Sequence, residues 1–365
     1  SNMVIKKPTL LISESRCRNN IARMAGKAHA HDVRLRPHFK THQSLEIGRW
    51  FKSYGVDSIT VSSVDMAQYF SEEWNDITIA FPLNILELDE INLLAKKVRL
   101  QVLIESEEAM NELLVHTNTK IGFFIKIDTG ANRSGIKPEK NIELINRITS
   151  LSDKSHLLTF KGFLTHAGHT YSCRTKNEIC EVHDASISIM NDLKKKFLQK
   201  YPDLEISVGD TPGCSVSDNF YGVDEIRPGN FIFYDLMQAQ IGSCHIDEIG
   251  VAVACPVVAI HQDRGDMIIY GGAIHFSKEQ LILSDDSVVY GQAIHIDSSG
   301  FGQPIDNMYL TRLSQEHGVV KDPSDLLSTI AIGDIIYILP VHSCLTAHLM
   351  QNDIKIILQD PTISV

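Results

Sequence analysis

The chain has 365 residues, and its 34 lysines and arginines against 45 aspartates and glutamates give a formal net charge of −11. With 43% hydrophobic and 22% charged residues, the composition is that of an ordinary folded protein and argues against extended disorder. The acidic balance argues against a general nucleic-acid binder, and no stretch reaches the roughly 20 apolar residues that span a bilayer.

Seven cysteines are scattered along the chain, and no two of them form a C-x-x-C pair. This usage indicates free thiols in a reducing compartment rather than a disulfide framework. The first residues show no charged segment followed by an apolar one, so we expect no secretory signal. We therefore predict a cytoplasmic protein without a membrane or nucleic-acid partner.

Short apolar runs alternate with amphipathic stretches along the first two-thirds of the chain. A short strand at 9–12 comes first, and a helix follows from about Ser13, the expected N-cap, to His31. The pattern then predicts eight strands, at 33–40, 58–61, 76–81, 100–105, 121–128, 157–166, 205–209 and 226–233. Helices are predicted between them at 44–54, 86–98, 107–115 and 138–151, with one that begins near 64 and one that ends near 200.

Eight βα units in this length favour a closed (β/α)8 barrel of the TIM type, at residues 13–241, over an open doubly wound sheet. The G-x-G-x-x-G fingerprint of the open sheet does not follow the first strand. Beyond Gly242 the pattern changes to strand-like runs at 251–260, 266–269, 281–283, 335–339 and 354–358. Residues 242–365, together with 3–12, are therefore predicted to form an all-β domain that carries the C-terminal motifs.

The first barrel strand ends in the run Arg-Pro-His-Phe-Lys-Thr-His at 36–42. Because alternate residues of a strand share one face, His38, Lys40 and His42 are predicted to point the same way. A lysine that faces a barrel interior is costly to bury in its charged form and suits a Schiff-base nucleophile. The alternative is a solvated residue at a strand end, and spacing alone does not decide between the two.

Further polar clusters follow the later strands, at the end of a barrel where active sites form. Two glycines flank Arg133 after the fifth strand, which suggests a shaped loop that presents a guanidinium to an anion or a phenolate-type oxygen. His166, a second histidine and Tyr171 follow the sixth strand. Gly-rich turns at 209–215 and 227–230 follow strands seven and eight, where barrels commonly hold phosphate. Taken singly, each cluster could be a plain structural turn.

A late segment carries His342 and Cys344 directly after a strongly apolar strand. This His-x-Cys spacing supplies two soft ligands that suit zinc, with positions left open for water or substrate. A pair of buried structural residues is the alternative.

Taken together, these motifs resemble those of the D-serine dehydratase and D-threonine aldolase family, pyridoxal-phosphate enzymes with the alanine-racemase-like fold, or fold type III. The resemblance covers nearly the whole chain and rests on the segments 37–42, 128–135, 165–171, 209–215, 227–230 and 340–346. The H-x-K-T-H run and the late H-x-C are its most specific parts.

The resemblance implies a role for each candidate residue of the barrel. Lys40 would carry pyridoxal 5'-phosphate as a Schiff base and act in catalysis with Arg133, near the phenolic oxygen, and His166, beside the ring. Tyr171 would lie by the pyridine nitrogen. The phosphate would be held by Thr211, Gly229 and Asn230.

The resemblance also implies a metal. His342 and Cys344 would bind Zn2+, or another divalent metal, beside the β-hydroxyl of the substrate. Cysteine at the second position is more typical of D-serine dehydratase, and aspartate of D-threonine aldolase. The implied function is a lyase for D-β-hydroxy amino acids, foremost the dehydration of D-serine to pyruvate and ammonia, in a homodimer.

Other functions stay open on the sequence alone. A D-threonine aldolase, which yields glycine and an aldehyde, and an amino-acid racemase share the cofactor and the fold. A pyridoxal-phosphate carrier without activity is generally a barrel alone, so the predicted β-domain argues against it. A cofactor-free Schiff-base aldolase for sugar phosphates would need the lysine but not the metal pair.

Overall fold

The computed structural model describes residues 4–322 and 325–357. The chain divides into two compact units: Ala22–Gly229, here called the barrel unit, and Ser1–Ile21 with Asn230–Val365, here called the β unit. The domain bounds predicted from the sequence, 13–241 for the barrel and 3–12 with 242–365 for the β-domain, stay a prediction. Among the described residues, no helix combines the length and the apolar composition that a membrane span requires.

The chain opens with strand β1 (Thr9–Ser13) and helix α1 (Glu14–Ala30). The eight parallel strands of the barrel unit follow as β2 (Arg34–Leu35), β3 (Ile59–Val61), β4 (Asp76–Pro82), β5 (Arg99–Ile104), β6 (Ile121–Lys126), β7 (Leu158–His166), β8 (Glu205–Gly209) and β9 (Glu225–Ile226). From β3 to β9 each strand pairs with its neighbour in the chain, and β9 pairs with β2. A parallel bridge between His38, beyond the end of β2, and Thr60 of β3 closes the circle, which confirms the predicted (β/α)8 barrel.

The first strand is much shorter than the predicted 33–40. β2 covers two residues, and Pro37, which has no backbone N–H, follows soon after. Residues 39–42 form a turn, in which the N–H of Gln43 donates to the carbonyl of Phe39 at 2.9 Å. The prediction that His38, Lys40 and His42 share one strand face is therefore wrong, because a turn does not alternate between faces.

The eighth strand also ends earlier than the predicted 226–233. β9 stops at Ile226, and Pro228 again removes a backbone donor two residues later. Asn230–Ile232 form a short 3-10 turn instead of strand. In both segments the predicted strand is cut short soon before a proline, Pro37 after β2 and Pro228 after β9.

Seven helices accompany the strands of the barrel unit: α2 (Leu45–Lys52), α3 (Val64–Phe70), α4 (Leu88–Lys97), α5 (Glu107–His116), α6 (Pro138–Ser152), α7 (Lys176–Phe197) and α8 (Thr211–Val216). Most of them begin at a residue whose side chain accepts a backbone N–H of the first turn. Ser44, Ser63, Ser106, Thr175 and Asp210 are such caps. The caps fix where each strand-to-helix loop ends, and these loops carry the candidate residues.

The β unit contains α9 (Leu236–Ile241), β10 (Val251–His261), β11 (Asp266–Tyr270), α10 (Ala273–Phe276), β12 (Leu281–Ile282), β13 (Val288–Val289), β14 (Gly291–Asp297), β15 (Gly300–Leu313), β16 (His317–Lys321), β17 (Ile335–Pro340), α11 (Ser343–Leu349) and β18 (Ile354–Ile357). Its main sheet has the order β11-β16-β15-β14-β17-β10-β1-β18 and is antiparallel except for the pair β1–β18. β12 and β13 form a separate pair. The predicted C-terminal β-domain is confirmed, and the structure shows that its main sheet is mostly antiparallel and is accompanied by the short helices α9, α10 and α11.

A buried charge network lies inside the barrel unit, at the start of its strands. Glu225 has no exposed surface and accepts hydrogen bonds from Arg34 at 2.7 and 3.0 Å, from Arg36 at 2.8 Å and from Ser207 at 2.7 Å. Ser207 in turn accepts a bond of 2.6 Å from Arg227, which also donates to the carbonyl of Thr165 at 3.0 Å. The network therefore connects the start of the strands with the strand ends where the candidate residues lie.

Candidate active site and metal pair

Lys40 lies in the turn that follows β2, and it is exposed. Its backbone N–H donates to Nδ1 of His38 at 3.2 Å. The N–H of His38 donates to the carbonyl of Pro228 at 3.0 Å, and the N–H of Phe39 donates to that of Thr60 at 2.9 Å. The turn is therefore anchored on both sides and leaves Lys40 accessible to a carbonyl compound.

His42 has a different environment from Lys40, although it belongs to the same turn. Its ring lies 4.4 Å from that of Phe39, centroid to centroid, 5.7 Å from Phe51 and 5.9 Å from Phe70. Burial lowers the pKa of His42 to about 3, and its Nδ1 accepts the backbone N–H of Ser44 at 3.0 Å. His42 is thus a neutral member of an aromatic cluster rather than a second functional group beside Lys40.

His166 ends strand β7, and its Nδ1 donates to the carbonyl of Gly209 at 2.7 Å. Burial lowers its pKa to about 3, and the positive charges of Lys40, Arg227 and Arg133 add to this effect. The ring is therefore neutral at physiological pH, with the proton on Nδ1. Its centroid lies 6.3 Å from that of Tyr171, so the structure brings this pair together.

Arg133 is exposed on a loop shaped by two features. The Asp128 carboxylate accepts the backbone N–H groups of Gly130 at 2.9 Å and Asn132 at 3.2 Å. Gly135 has a φ of +105°, and a Cβ there would lie 2.8 Å from the backbone nitrogen of Asp128. Only glycine fits at this position, so the loop that carries Arg133 has a defined conformation.

Thr211 begins helix α8 and is almost fully buried, at 1% exposure. Its hydroxyl has no hydrogen-bond partner among the described residues, an unusual state for a buried polar group. The cap of the same helix, Asp210, accepts the hydroxyl of Thr170 at 2.8 Å and the N–H of Gly213 at 2.7 Å. The turn after β8 is therefore rigid and offers one unsatisfied hydroxyl, which fits a phosphate oxygen as acceptor.

Gly229 makes a close approach to the Lys40 turn. A Cβ at Gly229 would lie 2.8 Å from both Cβ and the carbonyl oxygen of His38, and 3.2 Å from Oγ1 of Thr41. A larger residue at 229 would therefore displace the turn itself. Replacing Gly229 cannot separate a phosphate role from a structural one, and the phosphate role predicted for Gly229 stays a prediction.

The metal pair lies in the β unit, where His342 precedes helix α11 and Cys344 is in its first turn. Burial lowers the pKa of His342, but a hydrogen bond to Cys344 and the negative charges of Cys344, Asp235 and Glu279 outweigh it and raise the pKa to about 9. Among the described residues, no group of three or more His, Cys, Asp or Glu side chains is arranged to hold a metal. A metal here would take two protein ligands, in a region of negative charge.

Asn230, predicted to hold phosphate, directs its side chain toward this metal pair. Its Nδ2 donates to Asp235 at 2.9 Å and to Ser343 at 3.1 Å, and lies 3.6 Å from the sulfur of Cys344. A phosphate contact from Asn230 would therefore have to come from its backbone N–H.

Three supporting residues were missed by the sequence reading: Asp210, Asp235 and Arg227. The two aspartates each precede a short helix as its N-cap, and the Asp-x-x-Gly and Asp-x-x-Gln spacings could have identified them. Arg227 has no such signal. It is buried at 6% exposure, and its charge lowers the pKa of both His38 and His166.

Two family models match the chain. Residues 12–236 match the N-terminal domain of alanine racemase, and residues 250–354 match the putative serine dehydratase domain. A protein from Dictyostelium discoideum named D-serine dehydratase is 30% identical, over 97% of this chain and 95% of its own.

Solved structures are similar over nearly the full length. D-threo-3-hydroxyaspartate dehydratase from Delftia sp. HT23 is 26% identical with a TM-score of 0.86, over 95% of this chain and 93% of its own. The same enzyme has been solved as a His-to-Ala mutant and as a Cys-to-Ala mutant in the metal-free form, and the two altered positions are two residues apart, as in His342-x-Cys344.

An alanine racemase from Clostridium difficile, at 12% identity and a TM-score of 0.70, over 97% of this chain and 96% of its own, shows the shared fold alone. The two matched domains, the curated relative and the solved dehydratase therefore agree on one assignment. The chain belongs to the D-serine dehydratase family, whose members are pyridoxal-phosphate-dependent lyases with an alanine-racemase-like barrel.

Proposed function

We propose that this chain converts D-serine to pyruvate and ammonia, with pyridoxal 5'-phosphate bound at Lys40 and zinc bound by His342 and Cys344. The observation that carries the proposal is the position of His342 and Cys344, a nitrogen and a sulfur ligand two residues apart at the start of α11 in a region of negative charge. The relative named D-serine dehydratase supports the choice of substrate.

When bound, pyridoxal phosphate supplies an electron sink for the substrate's α-carbon, and zinc supplies a Lewis acid for the departing hydroxyl. The residues fit both groups. The unpartnered hydroxyl of Thr211 suits a phosphate oxygen, and the nitrogen and sulfur of His342 and Cys344 suit zinc better than the harder divalent ions.

Lys40 has two tasks in this proposal, first as the amine that holds the cofactor and then as the base that takes the α-proton. The bond from its backbone N–H to His38 fixes the start of the side chain in both tasks. A fixed backbone limits where the amine can travel, which keeps it near the proton that it removes.

His166 and Arg133 have roles that follow from their charge states. With its pKa at about 3 and its Nδ1 hydrogen committed to Gly209, His166 offers a neutral ring face and no acidic proton near pH 7. Arg133 is an exposed cation suited to a phenolic oxygen. Tyr171, beside His166, is assigned to the pyridine nitrogen.

We also propose a homodimer in the cytoplasm. None of the seven cysteines forms a disulfide in the structure, which suits a reducing compartment. Analytical ultracentrifugation of the purified protein checks the dimer, and a single monomeric species would contradict it.

The experiment that tests the proposed function is a panel of D- and L-β-hydroxy amino acids, assayed for keto acid, ammonia and aldehyde with and without a chelator. We expect pyruvate and ammonia from D-serine, lost on chelation and restored by zinc. His342→Ala and Cys344→Ala should abolish this activity but retain the cofactor's absorbance. Cys180→Ala, at a half-buried thiol of the barrel unit, is the matched control.

Three outcomes would overturn the proposal. Full activity in metal-free protein would remove the role of zinc. Glycine and acetaldehyde formed from D-threonine faster than pyruvate from D-serine would assign the chain to the aldolases. Borohydride reduction that labels a lysine other than Lys40 would refute the cofactor site.

A further inference from the structure

Asp235 is a buried carboxylate close to the metal pair, yet it is not free to bind a metal. It is 1% exposed, and its Oδ1 accepts the N–H of Gln238 at 2.9 Å as the cap of α9. Its Oδ2 accepts the backbone N–H of Ser343 at 2.8 Å and Nδ2 of Asn230 at 2.9 Å. Both oxygens are thus used by donors, and one of these donors lies between His342 and Cys344.

Asn230 also contacts the segment that carries His342 and Cys344. Its carboxamide is buried, at 5% exposure, and the carboxylate of Asp235 fixes which end is the nitrogen, because only the NH2 group can donate to it. The same nitrogen donates to the Ser343 hydroxyl at 3.1 Å and lies 3.6 Å from the Cys344 sulfur. The Cys344 sulfur therefore lies against an amide group that Asp235 and Ser343 hold in place.

We propose that Asp235 and Asn230 are positioning residues for the metal: together they hold the His342–Cys344 turn in its binding geometry, Asp235 through the backbone of Ser343 and Asn230 through the Ser343 hydroxyl and the Cys344 sulfur. The inference rests on the proposed metal role of His342 and Cys344. Outer partners of metal ligands typically contribute about 10–100-fold to metal affinity. The inference also assigns the side chain of Asn230 to the metal site rather than to the phosphate.

The test compares holoenzyme preparations of Asp235→Asn and Asn230→Ala with the wild-type protein. Zinc affinity is measured by competition with a chromogenic chelator, and cofactor content by the visible absorbance. Cobalt substitution gives a third readout, since the thiolate-to-cobalt absorption reports a metal–sulfur bond. Ser106→Ala is the matched control, because it removes an N-cap of the same kind from α5, which carries none of the proposed ligands.

We expect both variants to lower zinc affinity by about 10–100-fold with unchanged cofactor content, and Asn230→Ala to weaken the cobalt–thiolate absorption. Ser106→Ala should change neither. If Asp235→Asn fails to fold, Asn230→Ala alone still decides, because it removes no helix cap.

Two results would overturn the inference. Wild-type zinc affinity in Asn230→Ala would show that the carboxamide does not support the metal. Loss of cofactor with intact zinc affinity would return Asn230 to the phosphate. If His342→Ala and Cys344→Ala themselves retain zinc, the proposed metal site fails. If those two lose zinc while Asp235→Asn and Asn230→Ala keep it, only the positioning role fails.

Discussion

Replacing Glu225 by glutamine should destabilise the barrel unit far more than a typical surface substitution. Burial raises the pKa of Glu225, but the charges and hydrogen bonds of Arg36 and Arg34 outweigh it and lower the pKa to about 2 from the ordinary 4.5. This difference of about 2.5 pH units corresponds to about 3 kcal/mol of stability. Breaking a buried ion pair by removing one partner costs about 3–5 kcal/mol, which agrees with this value.

The assay is urea unfolding followed by tryptophan fluorescence. Both tryptophans of the chain, Trp50 and Trp74, belong to the barrel unit, so the signal reports that unit alone. Glu205→Gln is the matched control: Glu205 also contacts Arg34, but its side chain is 21% exposed, and we expect a loss below about 1 kcal/mol.

The dependence on pH gives a second check. The folded-state pKa of Glu225 is depressed, so its stabilising effect is complete above pH 4.5 and is lost as the pH falls toward 2. The difference in unfolding free energy between the wild-type protein and Glu225→Gln should therefore become smaller as the pH falls over this range. A loss of unfolding free energy that does not depend on pH would refute the electrostatic reasoning. So would a loss in Glu225→Gln that is no larger than the loss in Glu205→Gln.

Two further predictions concern glycine and histidine positions. Gly162→Ala should destabilise the protein by about 3 kcal/mol, because the residue has a φ of +139° and its Cβ would lie 1.9 Å from the carbonyl oxygen of Glu205. Gly26→Ala, at an exposed position of α1 with no atom near its Cβ, should instead stabilise it by about 0.5–1 kcal/mol in the same urea assay, and equal effects would contradict the geometry. His42→Phe should keep kcat within about twofold and change the unfolding free energy by no more than about 1 kcal/mol, since it retains the ring contacts and loses one bond to Ser44; a folded but inactive variant would show that His42 takes part in catalysis.

The sequence was sufficient for the barrel, because its strands β3 to β8 are short runs rich in apolar residues that alternate with helical segments. Four strands of the β unit escaped prediction: the short β13, and β14, β15 and β16. β15 includes Pro304 and the left-handed Asn307, and its pairings with β14 and β16 shift register, so its side chains do not alternate regularly. Periodicity is the signal on which strand prediction depends, and these irregularities remove it.

For the candidate site, the sequence located the residues but did not predict the directions of all their side chains. The motifs located the loops that carry the candidate residues, although β2 and β9 end earlier than predicted. The charges of Lys40 and Arg133 do act together on His166, as barrel geometry implies. The orientation of His42 depended on a turn that local pattern did not reveal. The side-chain direction of Asn230 depended on Asp235 and Ser343, the latter more than a hundred residues away, which no short motif encodes.

The closure of the barrel at β2 also determines when Lys40 can take its place during folding. β2 is joined to β9 through the contact of Arg34 with Glu225, a sequence separation of 191 residues, and the Lys40 turn is anchored to Pro228 just beyond β9. Loop-closure entropy makes such distant pairings slow to form. During synthesis, Lys40 leaves the ribosome well before residue 228 but reaches its final position only after that residue has emerged. Binding of the cofactor at the proposed Lys40 site would therefore follow closure of the barrel, and a nascent chain truncated before β9 should emerge without bound pyridoxal phosphate.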